Sequence, residues 1–490
     1  MTQPARPHPR LPFLAAVLVL TLASCEGRRE PAAVAAGGSA SEIPRHLFLI
    51  TVDTLRADHT SLHGYPRATT PRLDAVAAGG MVFERAIAQW PKTGASFASL
   101  FSGRYPQSTG LTHKAALSVP ESIVILPEVL RERGFTTVAV ISNPVLSRQL
   151  GWDRGYDEYV EVWGEGLTDD PTAFRAALWA GRVNDAAFEV LRRHSSAERL
   201  FAWIHYSDPH APYVLPAGVD NEFLGDPVFA SAPQKVAPVL DEPGKAIGEH
   251  DDLRFYVAQY DANVEVVDRH VAALLVLLDE ELELLDQAAV VFTADHGESL
   301  GEHDLFFEHG PLPYNTASHV PLAILGPSVP AGARVTPPVE LLDLFPTLLD
   351  WILPGEDLEV RALLEGESLW PLMRGGGSPA DAAGRLAFAD AGRGRRHFRT
   401  VQDERFKAIY RPARGGRTES IRNWELYDLL ADPLETRNLA AADHPELARL
   451  RRSLVEWMRE PAATAPVAPK SEQELRALRA LGYVDEAGDR

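Results

Sequence analysis

Five short apolar runs, each closing abruptly on polar or turn-forming residues, constrain this chain more than any other feature. The first, 46–52 (HLFLITV), ends at Asp53. The others are 136–142 (TTVAVIS), 200–206 (LFAWIHY), 288–293 (AAVVFT) and 322–325 (LAIL), the last leading into Gly326-Pro327. Nearly continuous apolar runs of this length mark strands covered on both faces. Helical patterns lie between them, at 120–134, around 186–193 and over 256–285. Such alternation predicts an α/β fold with a doubly wound, mostly parallel sheet. Functional groups in these sheets collect at the carboxyl ends of strands. Three runs end that way here: at Asp53, at His205/Asp208/His210, and at Asp295/His296.

A Gly-rich break at 374–377 separates this region from short β-like runs at 386–389, 398–401 and 406–410 and a helix near 444–457. These predict a smaller C-terminal α+β domain. The expected organisation is a leader over 1–24, a tether over 25–43, a catalytic domain over 44–373, the small domain over 378–460, and a linker with a last helix over 461–490. The leader carries Arg6 and Arg10 ahead of an apolar stretch at 11–22, too short to span a bilayer. Leu22-Ala23-Ser24-Cys25 resembles a bacterial lipobox, which implies lipidation of Cys25 and a place in the cell envelope, attached to a membrane facing the periplasm or exterior. Cys25 is the single cysteine among 490 residues, so no internal disulfide and no Cys-based metal cluster can form. The net charge of −20 argues against nucleic acid as a partner. It also makes a polyanionic polymer a harder substrate unless basic residues gather at the cleft.

Asp53 alone at a strand end reads as readily as a turn or helix cap. Asp295-His296-Gly297-Glu298 carries more: adjacent ligand-type side chains at a strand end, with a glycine that frees the turn. Carboxylates joined by one imidazole fit Ca²⁺, Mn²⁺, Mg²⁺ or Zn²⁺. Six histidines fall in or near the two later strand-end regions: His205, His210, His296, His303, His309 and His319.

Longer segments carry a family resemblance. LFLITVDTLRADHTSLHGYPRATTPRLDAVAAGGMVFERAIAQWPKTGASFASLFSGRYP (47–106), FAWIHYSDPHAPY (201–213), VFTADHGESLGEHDLFFEHG (291–310) with His319-Val320-Pro321-Leu322, and WELYDLLADPLETRNLA (424–440) are similar to the sulfatases of the alkaline phosphatase superfamily. The resemblance runs from about 45 to 484. It implies an alkaline-phosphatase-like fold and an ester hydrolase. It also implies one divalent ion, Ca²⁺ by family with Mn²⁺ or Zn²⁺ as alternatives, held by Asp53, Asp295 and His296. His210 matches the pocket histidine that meets the transferred group, and His309 falls where sulfatases place a second basic contact. A second metal set from Asp208, His210 and His309 is disfavoured, because Asp208 and His210 are only two residues apart.

The nucleophile motif departs from the family. Sulfatases carry Cys/Ser-x-Pro/Ala-x-Arg, whose first residue becomes formylglycine. The matching stretch here is Thr93-Gly94-Ala95-Ser96-Phe97. No formylglycine is expected; Thr93 itself becomes the candidate nucleophile, its hydroxyl ionising against the cation and attacking to give a covalent ester. Lys92, His205 and Asn143 are candidate substrate contacts, and the loops 161–173 and 216–252 are candidate specificity elements. The leading expectation is a metal-dependent hydrolase of sulfate or phosphate esters. A phosphoethanolamine-type transferase and a non-catalytic, anion-binding lipoprotein are the alternatives.

Overall fold

A computed structural model describes residues 43–459, apart from 113–118, 164–177, 227–235, 237–244, 376–383, 394–395, 413–419 and 442. The leader, Cys25, the tether and the terminal segment lie outside the described residues, as do much of both candidate specificity loops.

A nine-stranded sheet forms the centre, in the order β10-β2-β9-β6-β1-β5-β3-β4, with β11 also paired to β2. Its middle is built from β1 (His46–Val52), β5 (Leu200–Tyr206) and β6 (Ala288–Ala294), every residue of which is buried. β1 pairs in parallel with β5 on one side and β6 on the other. β3 (Thr136–Ile141) and β4 (Glu158–Glu161) extend the parallel array. The apolar runs fall in this position because helices cover both faces and leave no solvent face for polar residues. Among those helices are α1 (Pro71–Ala77), α2 (Thr93–Ser102), α3 (Leu126–Glu132), α4 (Ala180–His194), α5 (Leu253–Val276) and α6 (Leu344–Ile352). Each strand of the middle therefore delivers its carboxyl end to the same edge of the sheet.

Two expectations about this sheet need correction. The last apolar run is longer than 322–325: β9 (His319–Leu325) runs antiparallel to both β6 and β2 and is the one described strand of the sheet to do so. Apolar composition reports burial and is blind to strand direction. β2 (Met81–Ile87) was not anticipated, because Glu84 and Arg85 interrupt its apolar pattern. Its pairing with β9 shifts register between Phe83 and Ala86, and the irregularity leaves Glu84 and Arg85 half-buried. Glu84 there pairs with Arg334, and Arg85 donates to the Thr336 carbonyl at 2.6 Å. β10 (Ala333–Val335) and β11 (Val339–Glu340) complete this edge.

Beyond α6 a second, antiparallel sheet forms from β12 (Ala387–Arg393), β13 (Arg396–Gln402), β14 (Phe406–Tyr410) and β15 (Trp424–Asp428). α7 (Pro445–Trp457) packs on it through Leu447, Leu450 and Leu454. β12 is longer than the expected 386–389, and β15 is an added strand. The small sheet reaches back to the main one through backbone bonds. Asp390 N donates to Gln89 O at 2.7 Å and Gly392 N to Gly310 O at 2.8 Å. Between β6 and β9 a short hairpin, β7 (Ser299–Leu300) with β8 (Phe306–Glu308), sits over the carboxyl edge.

Candidate active site

At the carboxyl edge Asp53, Asp295 and His296 converge, all buried, with one ligand atom from each within 4.8 Å of the others. β1 ends at Asp53, and the backbone then turns sharply: Thr54 has φ 54°, a left-handed conformation that β-branched residues avoid. The turn is held by Tyr260 of α5, whose hydroxyl donates to Thr54 O at 2.8 Å and accepts from Arg56 N at 3.0 Å. The strained turn aims Thr54 N at Asp295 Oδ1, 3.2 Å away. His296 N donates to the same oxygen at 2.8 Å. Asp295 Oδ2 is buried and has no hydrogen-bond partner among the described residues. Burial pushes the Asp295 carboxyl up to about 7.

The His296 ring has its tautomer set by the backbone. Nδ1 lies 2.9 Å from Gly297 O, so it carries the proton and Nε2 carries the lone pair. Nε2 is 3.4 Å from Asp295 Oδ2, 3.9 Å from Asp53 Oδ1 and 3.3 Å from Thr93 Oγ1. An unsatisfied carboxylate oxygen, a second carboxylate and an imidazole lone pair on one point fit a divalent cation.

Thr93 opens α2, all ten residues of which are buried. Its hydroxyl thus sits at the positive end of a helix, beside the two carboxylates and His296. Ser96, one turn on, donates to Asp295 O at 2.6 Å and so props the Asp295–His296 pair from behind. Phe97 occupies the position where the sulfatase motif carries Arg. It packs against Phe101, Trp203 and His205 at centroid distances of 5.9, 4.9 and 5.1 Å, an apolar setting with no place for a guanidinium.

The remaining sequence candidates separate. Asn143 donates through Nδ2 to Asp53 Oδ2 at 2.6 Å and accepts from Val145 N at 2.9 Å, which makes it an orienter of Asp53. Lys92 lies against Gly310, where a Cβ would stand 2.6 Å from its Cε, and its charge is felt at His296. His205 does not join the cluster. It lies inside β5 one residue before the strand ends, beneath α2, with Nδ1 3.0 Å from Thr51 Oγ1. Burial holds its ring neutral, down to about 3. Substrate contact by His205 is replaced by a packing role. Asp208 accepts from Ala180 N at 2.8 Å and so serves the start of α4. His303 stacks on Tyr314 and contacts Leu434 O, while His319 contacts Glu84 O; both stand apart from the cluster.

His210 and His309 come together beside the first cluster, with rings 5.1 Å apart, and His309 lies 4.3 Å from the His296 ring. With them is a residue that the sequence reading passed over. Glu298 is fully buried, 3.0 Å from His309 Nδ1, and it accepts from Tyr213 OH at 2.5 Å. The available signal was its place two residues beyond His296, in the same turn.

A family model described as Sulfatase matches residues 45–353. Choline-sulfatase of Rhizobium meliloti (strain 1021) is 26% identical over 427 residues, covering 76% of this chain and 77% of its own. N-acetylglucosamine-6-O-sulfatase of Bacteroides thetaiotaomicron is 22% identical over 533 residues, covering 91% and 90%. Among solved structures, a phosphonate monoester hydrolase from Silicibacter pomeroyi superposes with a TM-score of 0.67 at 20% identity, covering 87% of this chain and 98% of that one.

Proposed function

The chain belongs to the sulfatase family of ester hydrolases, and on that premise we propose that it cleaves sulfate or phosphate esters with Thr93 as a direct nucleophile and a divalent ion at Asp53, Asp295 and His296. The observation that carries this reading is the Thr93 hydroxyl 3.3 Å from His296 Nε2, at a helix start beside two buried carboxylates. The ion, when bound, would polarise the ester and stabilise the ionised hydroxyl. Thr93 Oγ forms a bond to sulfur or phosphorus as the bond to the leaving alcohol breaks, and its proton passes to Asp295. His309, held by Glu298 at 3.0 Å, protonates the departing oxygen, with His210 beside it. Water then attacks the Thr93 ester, returns a proton to His309 and Asp295's proton to Thr93, and releases sulfate or phosphate. Lys92 contributes positive charge for the anionic ester.

In this reading no formylglycine takes part. The only cysteine is Cys25, and the formylglycine position is threonine. Cys25 instead serves as a lipid anchor that fixes the enzyme to an envelope membrane; Cys25→Ala should release the protein into the soluble fraction of expressing cells.

The nucleophile is tested with Thr93→Ala and Thr93→Ser, assayed on paired aryl sulfate and phosphate esters. Thr93→Ala should lose at least about 10³-fold in kcat, and Thr93→Ser should keep measurable turnover. A mass increase on the Thr93 peptide after acid quench would report the covalent ester. Undiminished turnover by Thr93→Ala sinks the proposal.

A further inference from the structure

A basic cluster on the small sheet stands beside the reaction centre, and the chemistry above leaves it unused. The chain carries a net charge of −20, yet four arginines fall within residues 393–399 (RGRRHFR). From residue 396 onward this run lies in β13, whose pairing with β12 sets Arg399 opposite Asp390 and His397 opposite Gly392. We propose that His397 and Arg399 form an anion subsite that receives a second negatively charged group on the leaving alcohol, so that the preferred substrate class is a multiply anionic ester. The inference rests on the reading of the reaction centre above.

Asp390 organises the cluster. Its side chain is wholly buried, with Oδ1 3.0 Å from His397 Nε2 and 3.4 Å from Arg399 Nε. Alternate residues of a strand share a face, so the two basic side chains of β13 stand over the same carboxylate. They are held from beneath, and each keeps 29% of its side chain exposed.

Arg399 approaches Asp390 most closely through Nε, and its terminal nitrogens hydrogen-bond to no described residue. By contrast, Arg385 and Arg405 each spend a terminal nitrogen on a carboxylate, Asp343 at 2.6 Å and Asp428 at 2.7 Å. A guanidinium anchored at Nε presents its outer pair of donors, the fork that matches sulfate, phosphate or carboxylate. Trp90 adds a further donor. Its indole is 1% exposed and packs edge-on against the His397 ring at 5.0 Å, and Nε1 has no acceptor among the described residues. Buried donors are nearly always paired, so an orphan beside two basic side chains marks a place suited to an acceptor.

The backbone ties this cluster to the reaction centre. Trp90 precedes Thr93 by three residues. Asp390 N donates to Gln89 O at 2.7 Å, and Gly392 N donates to Gly310 O at 2.8 Å. Gly310 follows His309, the proton donor to the departing oxygen, and lies against Lys92. The subsite therefore adjoins the side from which the alcohol leaves. Basic residues gathered there offset the repulsion that an acidic chain exerts on anions.

The test compares mono- and bis-esters of 1,4-butanediol and 1,6-hexanediol, as sulfates and as phosphates, with the full chain. In wild type the kcat/KM ratio of bis-ester to monoester should reach at least about 10, beyond the statistical gain of a second reactive end. Arg399→Ala should cut this ratio about 10-fold and His397→Gln about 3-fold. A ratio taken on one preparation is unaffected by molecules that fail to fold. An unchanged ratio in either variant, or a purely statistical ratio in wild type, overturns the subsite while the hydrolase reading stands. Should wild type hydrolyse neither ester, the hydrolase reading falls and calorimetric binding of the bis-esters decides the subsite alone. Binding about 10-fold weaker in Arg399→Ala then supports it, and equal binding refutes it.

Discussion

Asn143 and Asp53 meet across two strands, and the bond between them is worth more to function than to stability. The amide is fixed at both ends, by Val145 N at its oxygen and Asp53 Oδ2 at its nitrogen. Asn143→Ala should cost about 1 kcal/mol of fold stability but lower metal affinity and kcat/KM about 10–100-fold, read by metal titration and steady-state kinetics. His63 offers a different single-residue consequence. Its Nε2 donates to Phe83 O at 3.3 Å, and burial beside His319 lowers its pKa to about 4. The unfolded chain takes up a proton near pH 6.5 and the folded chain only near pH 4. The stability this neutral ring contributes is therefore complete above pH 6.5 and is lost as pH falls toward 4, by about 3 kcal/mol in all. Between pH 7 and 5, His63→Gln should lose about 2 kcal/mol less than wild type in urea unfolding; identical losses would show that His63 takes up its proton alike in the folded and unfolded chain. At this scale Asp53, Asp295 and His296 were legible, because strand ends and a family motif coincide on them. Glu298 was not, since a glutamate beyond a turn reads as solvated until Tyr213, 85 residues earlier in the chain, is seen to hold it.

The turn after β6 must bring Asp295, His296 and Glu298 to one place within four residues, and a glycine makes this possible. A Cβ on Gly297 would stand 2.4 Å from Thr316 O and 3.0 Å from Arg56 Cγ. The first contact is backbone, which cannot swing aside. Gly297→Ala should push the Asp295–Glu298 turn off its neighbours, costing about 1–3 kcal/mol and at least about 10² in kcat/KM. Thermal unfolding with kinetics on one preparation checks this, and wild-type values in both would mean the turn can yield. Elements also divide into those that composition reveals and those it hides. β1, β5 and β6 were plain because both of their faces are covered. β2 was hidden by Glu84 and Arg85 at a break in register, and β9 had its direction hidden because apolar content is the same either way along a strand. His205 shows the cost of a strand end read one step early: a residue still inside β5 packs under α2, and only residues past the strand reach the site.

The two sheets meet where the small one can steady the site. Lys407 of β14 is almost wholly buried, 2.9 Å from Glu435, and donates to Pro313 O at 2.6 Å and Asn315 Oδ1 at 2.8 Å. Glu435 in turn accepts from Asn315 N at 2.6 Å. The segment they clamp begins just past His309, and Gly392 N holds its first residue, Gly310, from β12. The C-terminal sheet thus fixes the position of a residue assigned to proton transfer without reaching the reacting atoms. A buried pair of this kind adds little net stability over an apolar pair, but breaking it leaves a charge without compensation. Lys407→Met should destabilise by about 3–5 kcal/mol. Lys407→Met with Glu435→Gln should recover about 1–3 kcal/mol of that loss, because the stranded carboxylate is gone. Activity separates anchoring from mere stability: the double variant, more stable than Lys407→Met and assayed where it is fully folded, should still lose kcat at least about 10-fold, because the segment after His309 is no longer tied. Urea unfolding and kcat measured together decide this, and a stable double variant with full kcat would show that His309 is positioned from the main sheet alone.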